Sequence, residues 1–201
     1  MSSNYGHQAS IRRKTGNEWM DRRIARTHNA LKAGLTGLMR KHRWDEINVQ
    51  QICDSADVSR STFYLHFDNK QELLDYCFST LESELGKEHP GRGLSINRTF
   101  QFLPWLLEHV EFNQDLFRAN TQSASGFVIF NRFRFVVDTL ARNEIEQSDF
   151  AGRLSNDQIT FINGGVFAVL EQWNRDAGTE STQSVLKRID ELIVGMLSIE
   201  A

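Results

Sequence analysis

Between positions 59 and 66 the chain reads SRSTFYLH, and those residue types suit one kind of chemistry. Ser59, Arg60, Ser61, Thr62, Tyr64 and His66 offer hydroxyls, a guanidinium and an imidazole, with no acid among them. Short hydroxyls and a guanidinium match the donors and acceptors on base edges, and a surface without carboxylates tolerates a nearby phosphate. Phe63 and Phe67 are four apart, so on a helix they share a side and turn inward. Nothing here is a nucleophile with its base. Elsewhere there is no Gly-rich phosphate loop, nucleophile elbow or His/Cys metal cluster, and the six histidines are scattered. These observations argue against an enzyme, and neither cofactor nor metal is expected.

The elements that must hold this octapeptide can be read outward from it. Asn48 is a good N-cap for a short helix over Val49 to about Ala56, and Ser59 caps a second one running to about Phe67. Asp57 and Val58 join them in a turn where Asp57 occupies a position that glycine would take most easily. Ile52, Cys53 and Ala56 supply the inner face of the first helix, and Val58 plugs the corner. Two short helices so joined form a helix-turn-helix. Ahead of them, Ile24, Leu31, Leu35, Leu38 and Met39 recur on one face at the helical period, which predicts a helix from about Trp19–Asp21 to Arg43. Asn69 can cap a further helix over Lys70 to about Lys87. Helices are also expected at about 95–111, 114–121, 126–147, 155–176 and 181–198. Pro104 starts or kinks the first of these, the Ser155/Gln158 pair forms a capping box, and Gly178 ends the helix before the last. The HPGRG stretch, 89–93, is the strongest loop signal. The fold class is all-α.

Net charge is −3 over 201 residues, which at first argues against nucleic acid, but it is unevenly spread. Residues 1–45 carry ten Lys/Arg against Glu18, Asp21 and Asp45, and residues 71–201 carry −8. A phosphate backbone responds to the local field rather than to the total. The polar, basic start of the chain, with Arg12, Arg13 and Lys14, reads as a disordered arm over 1–18. It has no apolar core of a secretory signal, and no apolar run approaches the roughly 18 residues of a membrane helix, so the expected location is cytoplasmic, at the nucleoid, with no membrane partner. Cys53 and Cys77 read as small core side chains.

From about Arg22 to Leu74 the sequence resembles the DNA-binding domain of the TetR family, with WDEINVQQI at 44–52, ADVSRSTFYLHF at 56–67 and Lys70 at the family's spacing. Asn48 and Asp57 depart from the usual threonine and glycine. The resemblance implies that Ser59, Arg60, Ser61 and Thr62 lie on a recognition helix and that Tyr64, Lys70, Val49 and Gln50 meet phosphates. With His66 these make the expected contact set to double-stranded DNA, in a domain over 19–69. The resemblance further implies that 70–201 binds a small-molecule effector and forms a homodimer, making the protein a ligand-responsive regulator, a repressor by family default, on an inverted-repeat operator. Its alternative is a protein-interaction module that kept the fold without sequence-specific DNA binding.

The second region holds 12 of the 14 phenylalanines. Phe127, Phe130, Phe133, Phe135, Val136, Val137 and Leu140 surround one helix, which reads as buried on nearly all sides. Phe102, Trp105, His109, Phe130, Phe133 and Arg134 are the candidate effector pocket, weighed against a plain packed core. Ile162, Val166, Phe167, Leu170, Leu186, Ile189, Leu192, Ile193 and Met196 are the candidate dimer interface. There the Gly164-Gly165 pair, costly by about 1 kcal/mol per glycine in mid-helix, would permit close approach of helices.

Overall fold

The computed structural model describes residues 5–87, 100–121, 126–176 and 180–197, with side chains from Asp21 onward apart from Ala119 and Thr121. The HPGRG loop, the first part of the helix expected at 95–111 and Gly178 lie outside the described residues. All described elements are helical, and the chain divides into two units. One comprises Met1–Leu38 with Ile47–Leu74, the other Met39–Glu46 with Asp75–Ala201. This division differs from a single boundary at 69/70, because a short stretch between two parts of the first unit belongs to the second.

Helix α1 runs from Tyr5 to Met39. The sequence places its start near Trp19–Asp21 and a disordered arm before it; the helix instead begins fourteen residues or more earlier. No proline interrupts Tyr5 to Met39, so each added residue gains a hydrogen bond at little cost. The early turns lack the apolar period on which the sequence reading depends, so nothing announces them. Further along, Leu31 and Leu35 are buried in the first unit, Ile24 remains exposed, and Met39 is buried at the start of the second. Gly34 lies between the two leucines, and there α1 meets α2 (Val49–Ala56). A Cβ on Gly34 would stand 3.1 Å from Ala56 Cβ and 3.2 Å from both Ala56 N and Ile52 O. Backbone atoms cannot give way as side chains do, so the absent side chain is what lets the two helices close.

In the second unit, α5 (Leu103–Phe112), α6 (Gln114–Thr121), α7 (Gly126–Glu146), α8 (Asn156–Arg175) and α9 (Thr182–Leu197) bury one continuous apolar core, joined by the later turns of α4 (Lys70–Lys87). Pro104 sits in the first turn of α5, where its missing N–H costs nothing. The side-chain cap for that helix comes from another: Glu144 of α7 accepts from Gln101 N–H at 2.8 Å and Phe102 N–H at 3.0 Å. Burial pushes the Glu144 carboxyl up, and these two donors pull the other way. The capping box at Ser155 and Gln158 is formed and opens α8.

Helix α7 departs from the expectation of burial on all sides. Ile129, Phe133, Val136, Val137 and Leu140 face the core, but Phe127 and Phe135 are exposed on the opposite face beside Asn131, Arg132 and Arg134. Aromatic residues at 127, 130, 133 and 135 cannot all share a stripe at 100° per residue, and the core takes only one side. At the end of α1, Asn120 of α6 is 0% exposed. Its Nδ2 donates to Met39 O at 3.1 Å and Leu116 O at 2.8 Å, and its Oδ1 accepts from Trp44 N–H at 2.9 Å.

Candidate nucleic-acid interface

The helix-turn-helix is built by its caps. Asn48 and Gln51 form a full capping box, with Gln51 N–H on Asn48 Oδ1 at 3.0 Å and Asn48 N–H on Gln51 Oε1 at 2.8 Å. That starts α2 at Val49, as the sequence places it. The helix ends at Asp57, whose φ of 53° and ψ of 46° are left-handed, and an aspartate tolerates this better than most residues. Val58 N–H then reaches back to Cys53 O at 3.0 Å. Cys53 is buried, and burial pushes its thiol up, so it acts as apolar packing.

Helix α3 covers only Arg60–Tyr64. Ser59 caps it by accepting from Thr62 N–H at 3.1 Å, and its hydroxyl also lies 2.9 Å from Ser61 Oγ and 2.8 Å from Thr62 Oγ1. The hydroxyls thus form one connected cluster at the start of the helix. Arg60 reaches along the helix to Tyr64, its guanidinium donating to the phenol oxygen at 3.5 Å and lying 5.8 Å from the ring centre. A cation so placed loses less freedom on meeting an anion or a guanine edge than one swinging in solvent. Phe63 points the other way and is fully buried, with Phe67 buried 5.9 Å from it, centre to centre.

Ser59, Arg60, Ser61 and Tyr64 are exposed and Thr62 half-buried, so five of the expected contact residues share the outer side of α3 or its cap. Gln50 is exposed on the first turn of α2, its amide donating to Asp54 at 2.7 Å, and Val49 is half-buried beside it. Lys70 Nζ donates to Ile47 O at 2.6 Å, which ties the first residue of α4 to the turn preceding α2. His66 does not join the outer face. Three residues on from Phe63 it lies about 60° round from that inward ring, and the imidazole turns half-buried toward α1. Its Nδ1 stands 3.3 Å from Nε2 of His28. Burial lowers the pKa of His28, and His66 adds to that. In its place Leu65 faces outward, 80% exposed; the same count from Phe63 would have revealed it.

The residues expected at the other two sites scatter. Of the pocket set, Phe130 and Phe133 line one cleft, whereas Phe102 is buried beside Phe100, and Trp105 and Arg134 are exposed. His109 is half-buried near Asn113. Of the interface set, Ile162, Val166, Leu170, Ile189 and Ile193 are buried in the chain's own core, and Phe167, Leu186 and Met196 pack half-buried against it. Leu192 is 52% exposed. A stripe of large apolar side chains satisfies the nearest core first. The other face of α8 carries Phe161, 72% exposed, with Gly165 and Ala168 at four and seven residues' distance, all exposed.

Residues 36–77 match the family model for bacterial regulatory proteins, tetR family. Over 124 residues the chain is 25% identical to the HTH-type dhaKLM operon transcriptional activator DhaS of Lactococcus lactis, covering 62% of this chain and 65% of that one. Over 56 residues it is 43% identical to the HTH-type transcriptional regulator YxbF of Bacillus subtilis, covering 27% of this chain and 15% of the relative. The chain therefore spans just under two thirds of the first curated relative and a small part of the second. Among solved structures, a TetR transcriptional regulator from Streptococcus agalactiae superposes with a TM-score of 0.63 at 23% identity, covering 88% of this chain and 98% of that one. The dihydroxyacetone kinase operon activator DhaS superposes with a TM-score of 0.58 at 22% identity, covering 86% and 97%. Among the described residues no helix is long and apolar enough to cross a membrane.

Proposed function

Because this chain belongs to the TetR family of bacterial regulatory proteins, we propose that it regulates transcription by binding an inverted-repeat operator as a homodimer whose DNA affinity a small molecule changes. The observation that carries the reading is the outer side of α3. A cap and a helix of five residues present Ser59, Arg60, Ser61, Thr62 and Tyr64 outward without an acid, over a buried Phe63. Ser59 to Thr62 lie toward the N-terminal end of the helix, where a recognition helix meets base edges. Tyr64, Lys70, Gln50 and Val49 are assigned to phosphates. Residues 19–69 are assigned to DNA binding and 70–201 to the effector and the dimer contact, with the stretch 39–46 packed in the second unit.

Selection from a randomised DNA library tests the reading. Wild type should enrich an inverted repeat. Arg60→Ala or Thr62→Ala should relax preference at particular base pairs, at roughly 1–3 kcal/mol for a good contact. Lys70→Ala should weaken all sequences alike and lower the salt slope by about one. If wild type enriches no repeat, the protein-interaction reading takes over. Repression by occupancy is the sign we assign. Activation is the second reading, since DhaS is a transcriptional activator, and a reporter behind the selected operator separates them.

Dimerisation is assigned to the exposed faces of α8 and α9 rather than to their buried stripes. Among the described residues, nothing beyond its own helix backbone and chain neighbours comes within 4 Å of a Cβ placed on Gly165, so that glycine leaves room for a second copy. Phe161→Asp and Leu192→Glu should each convert the protein to monomer without loss of helix content, read by light scattering and circular dichroism. Wild type that is monomeric at micromolar concentration rejects the assignment.

A further inference from the structure

Among the described residues, two buried asparagine oxygens of the second unit find no donor, Asn163 Oδ1 and Asn174 Oδ1, and Asn174 is the one that lines an aromatic cleft. Asn174, near the end of α8, is 4% exposed, and among the described residues none donates to its side-chain Oδ1. A carbonyl oxygen removed from water and given no donor is an unmet cost, which folded proteins rarely carry without a ligand or water to relieve it. Asn174 lines a cleft with Glu171 of the same helix, Phe167 one turn back, Phe130 and Phe133 of α7, and Phe117 of α6. Four aromatic rings and aliphatic neighbours offer that oxygen nothing. The Phe117 and Phe133 rings meet edge to face at 5.1 Å, and Phe130 meets Phe167 likewise at 6.2 Å. Glu171 is answered by Arg175 at 2.7 Å, so its charge makes no call for a cation.

We propose that this cleft is the effector site, and that the effector is a compact, neutral aromatic molecule bearing a single O–H or N–H donor. The inference rests on the reading that the second unit binds an effector, and it specifies where and of what kind. The donor bonds Asn174 Oδ1, and the ring stacks among the four phenylalanines, which prefer another π-system in offset or edge contact. With its rings closed the cleft has about 10 Å³ of room, enough for one water. Phe130 and Phe167 are only half-buried, so their side chains can rotate toward solvent to admit a ring. The chemistry excludes two neighbours of this class. A hydrocarbon of the same shape leaves the amide oxygen unmet, and an ammonium brings a charge that must be desolvated into an aromatic cleft whose one carboxylate is engaged.

The test compares phenol, toluene and benzylammonium on the full-length protein by titration calorimetry, with operator release measured separately. Phenol should bind about tenfold or more tightly than toluene, the difference a single satisfied hydrogen bond makes, and benzylammonium more weakly than phenol. Asn174→Leu should reverse the order of phenol and toluene. Should that variant not fold, the wild-type comparison decides alone. Equal binding of phenol and toluene, tightest binding of benzylammonium, or a crystal soaked in phenol showing only a water on Asn174 overturns the proposal. Phenol that binds as described yet leaves operator affinity unchanged keeps the site and rejects its regulatory role.

Discussion

Phe63→Ala should remove site-specific DNA binding while leaving most of the helix signal in place. Phe63 is the single aromatic anchor on the inward side of α3, fully buried, with the Tyr64 ring 5.4 Å and the Phe67 ring 5.9 Å from its own. A helix of five residues holds one turn of its own hydrogen bonds and owes its position to packing. Deleting a buried phenyl ring costs about 3–5 kcal/mol, a large fraction of what a small helical unit has to lose. Hydrogen exchange should show protection lost across residues 47–74 and largely kept in α7 to α9. Operator affinity should fall to the level of unrelated DNA. A variant with wild-type exchange in α3 and wild-type operator affinity would mean that Phe63 does not hold the recognition helix.

A comparable loss is expected from Asn120→Leu, for a different reason. Leucine keeps asparagine's branching and leaves no cavity, so the change removes the three hydrogen bonds, with some crowding added by its bulkier methyls. Trp44 N–H loses its acceptor, and the Met39 and Leu116 carbonyls lose a donor, in a place with 0% exposure for the side chain. Buried backbone groups stranded in this way cost about 1–3 kcal/mol each, and some of that returns as the surroundings relax. Denaturant unfolding should show about 2–5 kcal/mol lost, with the turn over Trp44–Glu46 opening to exchange first. Stability within about 0.5 kcal/mol of wild type would show that the turn finds other partners.

What the sequence disclosed follows from how local each determinant is. Asn48, Asp57, Ser59, Asn69 and Ser155 act on their own neighbours, and the helix ends they set are where the residues alone place them. The outer side of α3 was readable for the same reason, because five residues of one turn share a cap. His66 was misplaced because, three residues on from Phe63, it falls on the inward side and meets His28 of α1. Gly34 carries no local signal at all, since its meaning lies in Ala56, 22 positions away. The dimer and pocket residues turn on one ambiguity. An apolar side chain at helical spacing reports that it will be buried, not by what, and the chain's own core claimed most of them. Asn174 and Asn120 could not be told from surface asparagines without the fold around them.

The interleaving of the two units limits how this protein can be recombined. The stretch 39–46 lies between the two parts of the first unit, yet its N–H and carbonyl groups are bonded by Asn120 of the second. No single cut therefore yields a self-sufficient reader: a fragment ending at Leu74 would carry the turn away from the asparagine that holds it. A chimera that borrows another protein's helix-turn-helix faces the same constraint. Its splice sites belong at 38/39 and 46/47 as well as 74/75, so that the turn stays with the half that secures it.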